Sequence, residues 1–132
     1  MKEGADDSVS TDKRILLVED DPDILKLIQR ALARSGYDIE PAVGPTEALE
    51  LASAGARFDL VITDVIMPTK NGLDLVREIR AHQPDIRVLF MSGYSADILD
   101  ELDDVEREQA FIQKPFNKSD FVDRVAAVLR DS

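Results

Sequence analysis

The chain contains no cysteine, no tryptophan and a single histidine, His82. Without thiols there is no disulfide framework and no thiolate metal site, and one imidazole leaves little room for histidine ligation. No apolar run approaches the roughly 20 residues that span a bilayer. The opening Met1-Lys2-Glu3-Gly4-Ala5-Asp6-Asp7 has no apolar stretch behind its charges, which is not the pattern of a secretory signal. Basic residues are in deficit: 16 Lys and Arg face 27 Asp and Glu, a formal net charge of −11. A nucleic-acid binder needs a concentrated basic face to neutralise phosphates, so that partner class is not expected, and neither is membrane contact. A cytoplasmic location is the default expectation.

What is present is a hydrophobic share of 44% and a charged share of 33% over 132 residues, the profile of one globular domain. The excess of acids serves solubility in the plainest reading. The sharper reading is that some of them converge on a cation, and spacing decides between the two.

Residues 1–13 are polar, with Gly4, Ser8, Ser10 and Thr11, and read as a flexible tail or linker. From Arg14 onward short apolar runs alternate with helical periodicity. The runs are Ile15 to Val18, Leu60 to Ile62, Val88 to Met91 and Phe111-Ile112, with a weaker one from Tyr37 to Val43. Continuous apolar runs of this length suit strands covered on both faces. Ile24, Leu27, Ile28, Ala31 and Leu32 form a helical stripe behind Asp21 as N-cap and Pro22 at the first helical position, with Gly36 placed to end it. A second helix is expected from about Thr46 to Ala54, stopping at Gly55. Leu73, Val76 and Ile79 mark a third after Gly72, and Ile98, Leu102 and Val105 a weaker fourth. Phe121, Val125, Val128 and Leu129 mark a fifth, with Asn117 and Asp120 close to a capping box. Five βα units imply right-handed crossovers and one doubly wound parallel sheet in the α/β class. The fifth helix reaches the end of the sequence, so no output segment is expected after it.

In such sheets ligands bind beyond the carboxyl ends of the strands. There the sequence places Glu19-Asp20-Asp21 after the first strand and Thr63-Asp64 after the third. Ser92-Gly93 follows the fourth strand and Lys114-Pro115-Phe116 the fifth. Each alone has an ordinary explanation as a cap or turn. Together they supply crowded carboxylates that a hard divalent cation relieves, a carboxylate able to act as nucleophile, and a hydroxyl and an ammonium for phosphoryl oxygens.

From Arg14 to Leu129 the chain resembles the receiver domain of bacterial two-component response regulators. The resemblance rests on Ile15-Leu16-Leu17-Val18-Glu19-Asp20-Asp21-Pro22, Asp64-Val65-Ile66-Met67-Pro68 with Gly72, Met91-Ser92-Gly93 and Lys114-Pro115-Phe116. It implies a receiver domain over 14–130 with a flavodoxin-like five-stranded sheet in the order 2-1-3-4-5. It also implies Asp64 as phosphoacceptor, Asp20 as the main Mg²⁺-binding acid, Glu19 as its neighbour acting through water, and the Ile66 backbone carbonyl as a further ligand. Ser92 matches the switch hydroxyl, Lys114 the lysine paired with the phosphoryl group, and Phe111 the aromatic that rotates inward; the Lys114–Pro115 bond is cis in similar proteins. The implied partner is a histidine kinase or histidine phosphotransfer protein, and the implied output surface is the fourth helix, fifth strand and fifth helix. The domain is then no classical enzyme, though it assists its own phosphorylation and dephosphorylation.

The departures are Glu19 where Asp is also common, Ser92 for the frequent Thr, and Phe111 for the frequent Tyr. Ile66 and Tyr94, two residues beyond Asp64 and Ser92, are bulky and neither acidic nor amidic, which predicts a long-lived phosphoaspartate if they do more than pack locally. An aspartate-nucleophile phosphatase would place a second acid where Ile66 stands, and a flavin-binding module would meet repulsion from Glu19-Asp20-Asp21. A degenerate receiver that only binds protein would not need this complete set. The segment Asp97 to Glu108, with seven acids and only Arg107 as a base, reads as a solvated face or a contact for a basic partner. His82 reads as a surface residue or helix cap. The run from Val88 to Tyr94 looks like receivers fused to hybrid sensor kinases, although a stand-alone regulator fits as well.

Overall fold

Ile15, Leu16, Leu17 and Val18 have no solvent exposure, because a strand in the middle of a sheet covered on both faces has no wet side. They form β1 (Arg14–Val18). The computed structural model describes residues 13–65, 67, 70–92, 111–114 and 116–130. After β1 come α1 (Pro22–Ala33), β2 (Asp38–Ala42), α2 (Pro45–Ser53), β3 (Leu60–Asp64) and α3 (Gly72–His82). They are followed by β4 (Arg87–Ser92), β5 (Phe111–Gln113) and a last helix, α4 (Lys118–Arg130). All strand pairs are parallel and the order is β2-β1-β3-β4-β5, as expected. The polar tail through residue 12 and the fourth of the five expected helices, with its acidic run, lie outside the described residues.

Alternation along the strands divides the core into two layers. Leu16, Val18, Val61, Val88 and Phe90 pack with Ala48 and Ala52 of α2 and Leu73, Val76 and Ile79 of α3. Ile15, Leu17, Leu60, Ile62, Leu89 and Met91 pack with Leu25, Ile28 and Leu32 of α1 and Phe121 and Val125 of α4. Reversal of strand order between β1 and β3 opens a crevice at their carboxyl ends, and both ends carry acids.

Local chemistry starts and stops the helices where expected. Asp21 accepts from the amides of Asp23 at 2.9 Å and Ile24 at 3.4 Å, with Pro22 following as the first helical residue. Asn117 accepts from the Asp120 amide at 2.7 Å. Gly36 (φ 92°) and Gly55 (φ 101°) turn the chain after α1 and α2 in a conformation that side chains disfavour.

The stripe on α1 needs one correction. Leu25, not Leu27, is buried with Ile28, Ala31 and Leu32, and Leu27 is 62% exposed. The sheet-facing line runs through 25, 28 and 32, whereas 24, 27 and 31 occupy the flank turned toward α4. Periodicity groups such residues without deciding which edge of the group faces the sheet.

Two polar side chains fasten the end of the sheet opposite the acids. Gln83 is buried; its amide nitrogen donates to the carbonyls of Ala52 at 3.0 Å and Ala56 at 2.6 Å, and its oxygen accepts from the Phe58 amide at 2.9 Å. Arg87, at the start of β4, donates to the carbonyls of Val128 at 3.1 Å and Leu129 at 2.9 Å in the last turn of α4. The two sheet edges are β2, which contains Pro41, and the three-residue β5.

Candidate functional site

Strand parity decides which acid at the end of β1 points inward. Ile15, Leu17 and Glu19 alternate onto the face covered by α1 and α4, so Glu19 continues a buried line and is only 2% exposed. Its Oε2 accepts from the Asp21 amide at 3.1 Å. Asp20, one residue on, is exposed. At the end of β3, Asp64 is 5% exposed and continues the line of Leu60 and Ile62 on that same face.

Across the mouth of the crevice stands Lys114, just past β5. Its Nζ lies 2.6 Å from Asp64 Oδ1 and 3.2 Å from Glu19 Oε1, so one ammonium bridges two strand ends. One carboxylate oxygen each from Glu19, Asp20 and Asp64 falls within a 4.8 Å cluster. The local charge does not balance. Three carboxylates against one ammonium leave two formal negative charges, the complement of a divalent cation.

Titration behaviour follows from this crowding. Burial pushes the Glu19 carboxyl above its ordinary value, and contact with Asp64 raises it further against the opposing Asp21 amide and Lys114. Asp20 is also raised, first by loss of surrounding water and then by Glu19. Burial alone would lower the Lys114 ammonium, but its bonds and charge contacts with Asp64 and Glu19 outweigh that, and its pKa moves up. Carboxyls held above their usual range beside each other form a site prepared for a cation, which would relieve the repulsion. Hard oxygen donors of this kind suit Mg²⁺.

Of the residues expected at the site, Glu19, Asp20, Asp64 and Lys114 therefore meet in space. Ser92 ends β4 opposite Gln113 of β5, with its side chain outside the described atoms. Ile66, Pro115 and Tyr94 lie outside the described residues. Phe111 is half-buried in β5, paired with Phe90 and packed against the layer beneath α2 and α3. His82 sits in the last turn of α3, exposed, at the far end from the acids.

Two features were not anticipated. An apolar groove of about 570 Å³ runs between α1 and α4, walled by Ile24, Leu27, Ile28, Phe116 and Phe121 and reaching Lys114. Phe116 and Phe121, on the α4 side of it, stack on each other with ring centroids 4.8 Å apart. Their spacing of five residues across a helix start carries no periodic signal, so the pair was invisible in the sequence. The second is the burial of Thr63, which the sequence sets beside Asp64 at the crevice but which is fully enclosed.

Comparison with known proteins gives this geometry a family. Residues 15–126 match the response regulator receiver domain. The chain is 32% identical over 117 residues to the response regulator receiver protein CpdR of Brucella abortus, covering 89% of this chain and 97% of CpdR. It is 35% identical over 116 residues to the sensor kinase CckA of the same organism, covering 87% of this chain but 12% of CckA. The solved receiver domain of HemR from Leptospira biflexa, in its non-phosphorylated form, superposes with a TM-score of 0.78 at 34% identity, over 91% of this chain and 96% of that one. The chain belongs to the response regulator receiver domain family, the phosphorelay signalling domain of two-component systems.

Proposed function

We propose that Asp64 accepts a phosphoryl group from the phosphohistidine of a histidine kinase or histidine phosphotransfer protein and later loses it to water. The observation that carries this reading is the position of Lys114. Its ammonium rests on Asp64 Oδ1 at 2.6 Å and on Glu19 at 3.2 Å, at the open end of the crevice. An Asp64 oxygen would attack phosphorus while the phosphorus–nitrogen bond to the donor imidazole breaks and the imidazole leaves with a proton. Lys114 is placed to pair with an oxygen of the incoming group, as an ammonium does wherever charge spreads over a phosphoryl centre.

Glu19, Asp20 and Asp64 would hold Mg²⁺, with the Ile66 carbonyl as a further ligand. When bound, the ion neutralises phosphoryl oxygens that three carboxylates would otherwise repel. The chain itself would thus assist both its phosphorylation and its hydrolysis, as a signalling domain of the cytoplasm rather than a classical enzyme. Bulky residues at Ile66 and Tyr94 go with a long-lived phosphoaspartate. Its switch would run through Ser92 and Phe111, biasing the surface formed by the expected fourth helix, β5 and α4 by a local change of charge.

The apolar groove suits the protein donor. It is continuous with Lys114, and Leu27 on its wall is exposed. A donor helix seated there would bring its phosphohistidine over the acids. The match covers 97% of CpdR but 12% of CckA, so a stand-alone regulator and a kinase-fused receiver both suit this reading.

The test is intact mass after incubation with acetyl phosphate, with and without Mg²⁺, for the wild type and Asp64→Asn. A gain of one phosphoryl group that needs both the ion and Asp64 is expected. Mg²⁺ binding without phosphorylation from small-molecule and kinase donors would instead favour a receiver that only binds protein.

A further inference from the structure

Thr63 has no solvent exposure and stands one residue before Asp64 at the end of β3. Its side chain points to the layer under α2 and α3, away from the acids, among Val61 and Val65. A hydroxyl in such a place needs a partner. It donates to the backbone carbonyl of Asp64 at 3.0 Å and lies 3.9 Å from Met67 Sδ.

Gly72 packs against the same carbonyl. The chain leaves β3 and returns so closely that the Gly72 amide donates to Val65 O at 2.6 Å. A Cβ at Gly72 would overlap the carbonyl oxygen of Asp64 and come within 3.2 Å of Thr63 Cγ2. Only glycine permits that approach. Beside it, the Val65 amide donates to Met91 O at 3.0 Å. The peptide group that follows Asp64 is therefore held by a hydroxyl, a glycine and the neighbouring strand.

We infer that Thr63 is a positioning residue: with Gly72 it clamps the Asp64 carbonyl, fixing the backbone from which the Asp64 carboxylate reaches the acid cluster. This rests on the reading of Asp64 as acceptor and metal ligand. Thr63 touches neither the ion site nor the phosphoryl path and acts wholly through the Asp64 main chain. Loss of a group that holds a metal ligand in place typically costs about 10–100-fold in metal affinity.

The experiment compares Thr63→Val, which keeps the volume and loses the donor, with Thr63→Ser, which keeps the donor, and with Thr63→Ala. Mg²⁺ affinity is measured by calorimetry, phosphorylation by mass at saturating ion and acetyl phosphate, and folding by thermal melting. Thr63→Val is expected to weaken Mg²⁺ binding by about tenfold and to slow phosphoryl gain, with Thr63→Ser restoring both. Wild-type Mg²⁺ affinity in Thr63→Val, whatever its melting temperature, overturns the inference. Should Thr63→Val not fold, Ser and Ala at this position differ by one hydroxyl, and equal affinity in those two overturns it as well. A wild type that gains no mass defeats the acceptor reading instead. Calorimetry still decides Thr63 in that case, with weakened binding supporting the clamp and unchanged binding overturning it.

Discussion

The ammonium of Lys114 lies 2.6 Å from Asp64 Oδ1 although β4 stands between the strands that carry them. It also bonds Glu19 from β1, so one flexible side chain spans the carboxyl ends of the sheet from β5 to β1. The ammonium opposes, alongside the Asp21 amide, the burial and the Asp64 contact that push the Glu19 carboxyl up.

Lys114→Met removes that neutralisation and leaves the acids facing one another. Breaking a fully buried pair costs about 3–5 kcal/mol, but Lys114 is 27% open to water and Glu19 can take up a proton. A loss of about 1–2 kcal/mol is expected in metal-free protein. Saturating Mg²⁺ should recover part of it, because the ion stabilises the state that binds it. Melting with and without the ion checks both statements.

Glu19→Gln should act in the opposite direction. Without the ion, a buried amide in place of a crowded carboxylate raises the melting temperature by about 3–5 °C for each kcal/mol gained, while Mg²⁺ affinity falls. The pH dependence has a definite sign. A carboxyl raised in the folded state, like Glu19 and Asp20, binds its proton more tightly folded than unfolded. Its contribution to stability is complete below the unfolded pKa and is lost as pH rises through the folded one. The advantage of Glu19→Gln over wild type should therefore vanish in acid and grow toward neutrality. Mg²⁺ binding to the wild type should weaken as pH falls through the raised values, since protons compete for the same oxygens. Calorimetry and melting curves from acid to neutral pH test the set.

Leu27→Ser separates docking from chemistry. Leu27 is on the groove wall and absent from the acid cluster. Phosphoryl gain from acetyl phosphate should match wild type, while transfer from a phosphorylated protein donor should slow by about tenfold, the effect of losing about 1.4 kcal/mol of contact. Equal slowing with both donors would refute the docking assignment.

Gln83→Leu probes the fold without the site. It strips partners from the Phe58 amide and from the carbonyls of Ala52 and Ala56. Buried groups left without partners cost about 1–3 kcal/mol, so a loss of about 2–3 kcal/mol is expected with Mg²⁺ affinity unchanged. Denaturant unfolding beside calorimetry gives both numbers.

Much of this molecule could be read from its residues. Continuous apolar runs, Asp21-Pro22 and Asn117 mark elements through chemistry that acts over four or five residues. Acids at successive strand ends mark the crevice through topology. What escaped depends on contacts distant in sequence or on rotation about an axis. Gln83 bonds residues 25 to 31 positions away, and nothing near it in the chain announces them. Leu25 and Leu27 exchange roles through a rotation of α1 that composition does not encode. The depth of Glu19 relative to Asp20 was accessible in principle, because Glu19 shares the parity of Ile15 and Leu17.

The edge strand β2 reads Asp38-Ile39-Glu40-Pro41-Ala42. Proline offers no amide to a further strand, and Asp38 and Glu40 add like charges along the same rim. The opposite edge, β5, is three residues long. Neither rim is a good template for another copy of the chain, so the protein should stay dispersed at the high concentrations of a calorimetry cell, and loss of Pro41 would be a first route to aggregation.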